Sequence, residues 1–221
     1  YGNVIKSASI VYGRNVVDAK LPAEVTRDQH QMRITYGEVD YTPDIDQLNP
    51  VPMYRLRTPY ESRSYEITGI APATARFTLA ELTSKIASAT HLNYEVVANG
   101  VSAQKRMLSQ SRTLFRNNSL VPLPLGQWDT LGLGYESYQL AFTPSITSAY
   151  YTGRIADVDF TQAGYIHFNG DSNWWIPSGT AIYPNNPANH FYIPNGVKDP
   201  LGTETVVAFD QYDLLVEKVL V

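Results

Sequence analysis

The stretch from Asp199 to Val216 constrains the fold more than any other part of the sequence. It opens with Asp199-Pro200-Leu201-Gly202, in which a proline and a glycine have the spacing of a tight turn. The run from Thr203 to Val216 is rich in residues that favour an extended chain. Within it, an aromatic residue directly precedes an aspartate twice, as Phe209-Asp210 and as Tyr212-Asp213. The pattern predicts a turn that leads into a long strand.

The opposite end of the chain shows a similar spacing. The step from Gly2 to Tyr12 has the same length as the step from Gly202 to Tyr212. Short β-hairpin repeats produce spacings of this kind. We therefore interpret eight residues from the two ends of the chain as a structural repeat motif: Gly2, Tyr12, Asp199, Gly202, Phe209, Asp210, Tyr212 and Asp213.

The composition favours a β protein. The 221 residues include 16 Tyr against 7 Phe, together with 14 Gly and 14 Pro, which suits strands with half-exposed faces joined by many turns. The length allows one large β domain or two small ones. No linker composition interrupts the chain, so we predict a single β-rich segment over residues 1–221 with roughly ten strands.

Several functional classes are disfavoured by composition. The chain has no cysteine, which excludes disulfides, thiolate metal sites and a cysteine nucleophile. A net charge of −4 and the absence of a basic cluster argue against a nucleic-acid partner. No apolar run approaches the ~18 residues of a membrane span, and no signal peptide is visible. Because the chain begins at Tyr1 without Met, we expect it to be a piece of a longer protein.

Local patterns predict most elements. A helix from Thr78 to Ala87 is indicated by a capping box, Thr78 with Glu81, and by an apolar stripe. A hairpin over 164–176 is indicated by Asn169-Gly170 near its tip. Further predictions are loops over 13–30 and 43–52, helical turns within 136–149, and strands over 4–12, 31–42, 54–57, 63–67, 94–97, 104–116, 154–160 and 180–183.

No metal or nucleophile site is favoured. The four histidines lie apart from any second ligand at a zinc spacing. Asp40, Asp44 and Asp46 have the oxygen ligands that calcium prefers, but no glycine stands where an EF-hand loop needs one, so a solvated loop is the default. Ser178 lacks the first glycine of a nucleophile elbow and is interpreted as a turn residue.

Other candidate groups have structural interpretations. His167 and Asp171 flank the Asn-Gly turn, and we favour separate strand and turn roles for them. Asp157 and Asp159 would face one side of a strand, where two carboxylates are able to act in glycoside hydrolysis, but a polar strand face explains them as well. A last group contains aromatic residues able to stack on sugars: Trp174, Trp175, Tyr183 and Phe191. Adjacent strand residues point to opposite faces, so at most one of the two Trp side chains would contact a glycan. Packing of one Trp in the core and of the other against a neighbouring layer explains the pair at least as well.

Several stretches, in order along nearly the whole chain, carry a family resemblance. The more specific ones are Gly170-Asp171-Ser172-Asn173-Trp174-Trp175-Ile176-Pro177-Ser178-Gly179 and Lys198–Leu215. The others are Tyr1–Ile10, Tyr12-Gly13-Arg14, Arg33–Tyr36, Tyr54–Arg57, Glu61–Gly69, Phe77–Leu82 and Val121–Gly126. With these stretches the chain resembles the B component of bacterial Tc insecticidal toxin complexes, within the Rhs/YD-repeat family. It departs from that family at Phe209, where the repeat usually has Tyr, and in the loops 15–30 and 184–190.

The resemblance implies a structural role. Family members form a hollow shell from a spiralling sheet of β-hairpins, which encloses a toxic effector carried by the C component, while another domain contacts the A component. It implies a secreted, host-directed protein with no catalytic residue, cofactor or metal in this chain. It also implies no membrane contact by this segment.

From sequence we therefore predict a mainly β, antiparallel hairpin sheet of an Rhs-type shell with one or two short helices, acting without enzymatic activity. The first alternative is a carbohydrate-binding or adhesin module that uses Trp174 and Trp175. The second is a hydrolase that uses Asp157 and Asp159.

Overall fold

The structure is a computed structural model that describes residues 2–16, 18, 20–49 and 52–220. The strands in chain order are β1 (Lys6–Val11), β2 (Arg33–Tyr41), β3 (Ile45–Gln47), β4 (Met53–Arg55), β5 (Pro59–Thr68), β6 (Thr90–Leu92), β7 (Gln104–Arg116), β8 (Leu133–Phe142), β9 (Ile166–His167), β10 (Trp174–Pro177), β11 (Thr180–Ile182), β12 (Gly196–Lys198), β13 (Glu204–Phe209) and β14 (Val216–Leu220). The helices are α1 (Ala23–His30), α2 (Leu79–Ala87), α3 (Pro144–Ile146) and α4 (Asp157–Gln162), with a π-helical turn at Thr147–Tyr151 and a 3₁₀ turn at Pro187–His190. Strand residues, at 38%, outnumber helical residues, at 16%, which confirms the mainly β, antiparallel prediction. Among the described residues, no helix has the length and apolarity needed to cross a membrane.

The chain divides into two compact units. Unit 1 comprises Tyr1–Val39 and Ser62–Gln110, and unit 2 comprises Asp40–Glu61 and Ser111–Val221. That residues 1–221 act as one segment of a larger shell remains a prediction.

Unit 1 is a sheet with one amphipathic helix packed on it. The strand order is β1-β2-β5-β7, with the short β6 parallel to β7. In β2 the alternation of exposed Arg33 and Thr35 with buried Ile34 and Tyr36 leaves one apolar face. Helix α2 covers the core with Leu82 and Ile86. The Thr78 half of its predicted capping box forms, because the Thr78 side chain accepts a hydrogen bond from the Glu81 backbone N–H. The Glu81 carboxylate accepts from the Ala73 backbone N–H over 2.8 Å rather than closing the box on Thr78.

Unit 2 contains the remaining strands and their pairings. Residues 111–116 of β7 pair with β8, which pairs with β10, which pairs with β9. A four-stranded sheet has the order β11-β12-β13-β14, and a two-stranded sheet pairs β3 with β4. The core contains Leu114, Tyr138, Phe168 and Trp175. The predicted hairpin over 164–176 is confirmed, with Trp174 opposite His167.

Two predictions of secondary structure are wrong, because the structure has a helix in each of the two regions. The region 13–30, predicted as a loop, contains α1, whose residues are all at least partly exposed, so it has no apolar stripe that a sequence pattern would reveal. The predicted strand 154–160 contains α4 instead. Its apparent alternation is misleading, since Val158 is 57% exposed and only Phe160 is buried.

Four further predictions need correction. The predicted strand 94–97 is a turn and loop, and the nearby strand β6 ends at Leu92. The loop 43–52 contains β3, which pairs with β4. All of 136–142 belongs to β8, and the helical turns begin only at Pro144. The long strand predicted over 203–216 ends at Phe209, where a second turn begins.

Candidate functional site

The predicted turn at Asp199 is built by that residue's carboxylate. The backbone N–H groups of Leu201 and Thr203 donate to Asp199 Oδ1 over 2.9 and 2.7 Å. The Gly202 N–H donates to the Asp199 carbonyl, and Gly202 adopts a φ of +96°. Glycine is favoured in this left-handed conformation because it has no Cβ, whereas a residue with a Cβ would be strained there. The loop joins β12 to β13.

The same device recurs eleven positions later and joins β13 to β14. The N–H groups of Leu214 and Leu215 donate to Asp210 Oδ1 over 2.8 and 3.2 Å, and the Asp213 N–H donates to the Asp210 carbonyl. Asp213 is the left-handed residue, with a φ of +58°. The hydrogen bond from the Leu214 N–H, followed by that from Leu215, lowers the pKa of the Asp210 carboxyl group. Tyr212 lies in this loop and is 64% exposed.

A third loop with this arrangement lies after β7. The N–H groups of Ser119 and Val121 donate to Asn117 Oδ1 over 3.0 and 2.9 Å, and Leu120 is left-handed with a φ of +65°. Sequence reasoning missed this loop because neither a glycine nor a proline marks it. We call the loops that begin at Asn117, Asp199 and Asp210 the Asx loops.

The N-terminal members of the predicted motif have a different local setting. Gly2 precedes β1 and lies in open space. The Tyr12 hydroxyl accepts a hydrogen bond from the Phe77 N–H over 3.0 Å, and its ring packs beside the Phe77 ring. Neither residue lies in an Asx loop, so their membership in a common repeat stays a prediction.

The two tryptophans of β10 are both buried. Trp174 is 4% exposed and stacks on Phe160 with ring centroids 5.0 Å apart. Trp175 is 0% exposed and belongs to the core of unit 2. As adjacent strand residues they do point to opposite faces, but both faces are covered. Neither ring is placed to stack on a sugar at the surface.

Trp175 forms part of a partly buried ion cluster around Arg112. The Arg112 side chain donates to Glu61 over 2.8 Å and to Asp171 over 3.1 Å. Its guanidinium lies 4.3 Å from the Trp175 ring centroid and 4.9 Å from that of Phe168. Trp175 Nε1 donates to the Asp171 carboxylate. A planar guanidinium suits two carboxylates and two rings at once, which makes this cluster a structural tie.

The remaining carboxylate candidates have local partners. Asp159 accepts from the Ala156 N–H over 2.8 Å at the start of α4, and on a helix Asp157 and Asp159 no longer share a face as they would on a strand. Asp44 accepts two hydrogen bonds from the Arg57 side chain, and this pairing lowers the pKa of Asp44 to about 2. In the described part of the chain no three His, Asp or Glu side chains are placed to hold a metal ion.

His167 and Ser178 are engaged with the backbone. His167 Nδ1 lies 2.8 Å from the Asn173 carbonyl oxygen, while Asp171 contacts Arg112 and Trp175. The Ser178 hydroxyl accepts from the Ser137 N–H and donates to the Gly179 carbonyl. These contacts match the turn and strand roles expected for the three residues.

Sequence reasoning also missed a His-Asp contact in unit 2. His190 Nδ1 lies 2.9 Å from Asp213 Oδ2, which ties the 3₁₀ turn to the Asx loop that begins at Asp210. The neighbouring Phe191 is 71% exposed, and Tyr183 lies under the Arg116 guanidinium at 5.5 Å. These two aromatic residues therefore do not form a common platform with the buried tryptophans.

A buried charge network in unit 1 was not predicted either. Glu38 accepts from the Tyr36 hydroxyl over 3.0 Å, from Arg63 Nε over 3.4 Å and from Lys105 Nζ over 3.4 Å. Burial alone would raise the pKa of Glu38, but the Tyr36 hydrogen bond and the Lys105 charge outweigh it and lower the pKa. Burial and the Glu38 hydrogen bond raise the pKa of Tyr36 to about 12, so its hydroxyl stays a donor.

Comparison with known proteins yields a structural likeness alone. No protein-family model and no curated protein matches the sequence. Two solved structures, titled TcdB2-TccC3-Cdc42 and TcdB2-TccC3 without hypervariable C-terminal region, match with a TM-score of 0.58 at 18% identity. A third, TcdB2-TccC3-TEV, matches with a TM-score of 0.55 at 18% identity.

These matches cover nearly all of the present chain. The first two span 99% of it, and the third spans 97%. The chain covers only 12%, 12% and 11% of the matched chains, respectively. At this level of identity the likeness demonstrates a shared fold. The chain therefore has the fold of a part of Tc toxin complex structures.

Proposed function

We propose that the chain is a wall segment of a secreted, host-directed Tc-type toxin complex, and that it belongs to the B component. In this role its sheet forms part of a shell of Rhs/YD type that encloses and protects a toxic effector. The observation that carries the proposal is the likeness to TcdB2-TccC3 structures over 99% of the chain. The ordered sequence resemblance described above supports the same assignment.

The proposed partners follow from this role. The segment would contact the remainder of its own chain and the C component that carries the effector, while the A component would be reached through another domain. The segment would act without catalysis, since its carboxylates form helix-end, loop and ion-pair contacts.

The two alternatives have less support. A carbohydrate-binding module needs an exposed aromatic platform, and Trp174 and Trp175 are buried. A hydrolase based on Asp157 and Asp159 needs two carboxylates directed at one cavity, whereas Asp159 is engaged at the end of its own helix.

The wall proposal is testable by labelling opposite faces of one strand. Leu108 and Ser109 are adjacent in β7 and are both exposed, so they represent the two faces of the sheet at one point. The sequence contains no cysteine, so Leu108→Cys and Ser109→Cys each introduce the sole thiol of this segment. In the assembled full-length complex, we expect a large polymer-coupled maleimide to modify only one position, because the other faces an enclosed lumen.

Two controls define the result. A small maleimide should enter the lumen and modify both variants, and the separate 221-residue chain should react with both reagents at both positions. Equal modification of the two positions by the large reagent in the assembled complex would contradict a shell.

A further inference from the structure

Unit 1 contains a cavity whose lining combines apolar groups with lysines. Its volume is about 180 Å³, and the lining includes Leu82 and Ile86 of α2 and Ala8 of β1. An engineered apolar cavity of about 150 Å³ in another protein holds a benzene molecule. The cavity of unit 1 therefore has room for one ring-sized apolar group.

Lys105 is a buried cation in this lining. It is only 7% exposed, and its ammonium group lies 3.9 Å from the Tyr65 ring centroid and 4.8 Å from the Tyr36 ring centroid. Its carboxylate contact is Glu38, at 3.4 Å. An ammonium group has three N–H donors, and a buried one loses much of its hydration. The Lys105 ammonium group is thus able to donate to a second, anionic partner.

The charges around the cavity favour an anion. Lys6 and Lys105 both line it, whereas Glu38 is the one carboxylate among the described residues of its lining. Glu38 is already bonded by Tyr36 and Arg63, which spreads its negative charge over several donors. His91 also lines the cavity and packs edge-on against Tyr65. The positive charges of Lys6 and Lys105 therefore lie in the same cavity as the apolar side chains of α2.

We propose that this cavity binds a carboxylate that carries one ring-sized apolar group, with Lys105 and Lys6 pairing with the carboxylate and Leu82, Ile86 and Ala8 packing on the apolar part. Two sources have this chemistry: a free small aromatic acid, and the C-terminal residue of a peptide that ends in Phe. Binding sites of this type are concave and apolar with a few polar groups that orient the ligand. The inference does not depend on the wall proposal.

Calorimetry and ligand-observed NMR with defined probes test the site. The probes are 3-phenylpropanoate, its neutral amide, a hexapeptide that ends in Phe, and the same peptide with an amidated terminus. We expect the acid, the free-terminus peptide or both to bind, and the corresponding amides to bind at least about tenfold more weakly because they lose charge-assisted hydrogen bonds. Binding of the small acid alone assigns a free ligand, and binding of the peptide alone assigns a chain terminus.

Variants separate ligand pairing from folding. Lys105→Met should abolish binding, but it also disturbs a buried network. Lys6→Met and Ala8→Phe alter exposed positions of β1. Lys6→Met should weaken binding because the site loses a positive charge, and Ala8→Phe should weaken it because the larger side chain fills the cavity. Lys85→Met is the matched control, because Lys85 pairs with Glu81 on α2 at 3.6 Å and is not part of the lining.

Three results would overturn the site: no binding of either acid at concentrations of about 1 mM or above, equal binding of acids and amides, or unchanged binding by Ala8→Phe.

Discussion

The Asx loops show how single side chains determine where strands end. Asn117 and Asp199 accept backbone N–H groups from the second and fourth residues after them, and in both loops the third residue is left-handed. Because an amide oxygen and a carboxylate oxygen serve equally, the acceptor matters more than the charge.

Gly202 provides a sharp test of the left-handed requirement. Gly202→Ala should lower the free energy of unfolding by about 1–2 kcal/mol, since a Cβ is unfavourable at a φ of +96°. Gly134→Ala is the control: a Cβ there also meets open space, but its φ is outside the left-handed region. Since glycine weakens a strand, the control should be neutral or stabilising by up to about 1 kcal/mol. Urea denaturation measures the free energy of unfolding of both variants. Equal effects of the two substitutions would show that the left-handed conformation of Gly202 is not the cause.

Glu38 should make the stability of the protein sensitive to acid. Its pKa in the folded protein is lowered from 4.5, so its contribution is complete above pH 4.5 and is lost as the pH falls through the lower folded value. Glu38→Gln should therefore reduce the melting temperature at neutral pH, and the difference from the original protein should shrink below pH 4.5. Thermal melts across this range check the prediction; a difference that does not change with pH would assign the effect to packing alone.

At the scale of elements, burial of one or two side chains decides between helix and strand. In α4, Phe160 packs against Phe142 and Trp174 with ring centroids 5.4 and 5.0 Å apart. Asp157 and Asp159 lie in the first turn, where negative charge is favourable. The alternation of apolar residues over 154–160 therefore predicted a strand where the structure has a helix. In a window this short, the apolar pattern of an amphipathic helix differs little from that of a strand.

The cap of α2 is testable with two threonines of the same region. Thr78→Ala should lower the free energy of unfolding by about 1 kcal/mol, since the first turn loses the acceptor for the Glu81 N–H. Thr83→Ala should change it by no more than about 0.5 kcal/mol. Thr83 lies inside the helix and donates only to the Leu79 carbonyl, and alanine has the higher helix propensity. Denaturation midpoints compare the two, and a cost at Thr83 equal to that at Thr78 would argue against a specific capping role.

At the scale of the whole molecule, the sheets end in strands with one partner among the described residues. In unit 1, β1 pairs with β2, and in unit 2, β14 pairs with β13. All five residues of β14 are exposed. A strand edge of this kind carries unpaired N–H and C=O groups that are suited to further pairing.

Hydrogen exchange tests whether these edges are covered in the larger assembly. In the separate chain, amides of β1 and β14 should exchange faster than those of β5, which has a strand on each side. In the full-length toxin complex of the proposed function, β1 and β14 should become strongly protected while β5 changes little. Unchanged exchange at both edges on assembly would contradict their burial in a continuous wall.

Features that depend on neighbouring residues were predictable from sequence. The α2 cap and stripe, the alternation in β2 and the Asn169-Gly170 hairpin each arise from interactions over a few positions, where backbone geometry and burial period leave a readable pattern. The turn at Asp199 is of the same kind.

Features that depend on which elements pack together were decided only by the tertiary structure. Lys105 and Glu38 are 67 positions apart, and Arg112 and Asp171 are 59 apart. The burial of both Trp174 and Trp175 likewise depends on what covers each face of β10. No local pattern encodes these contacts, because their energy comes from excluding water between surfaces that meet only after the chain has folded.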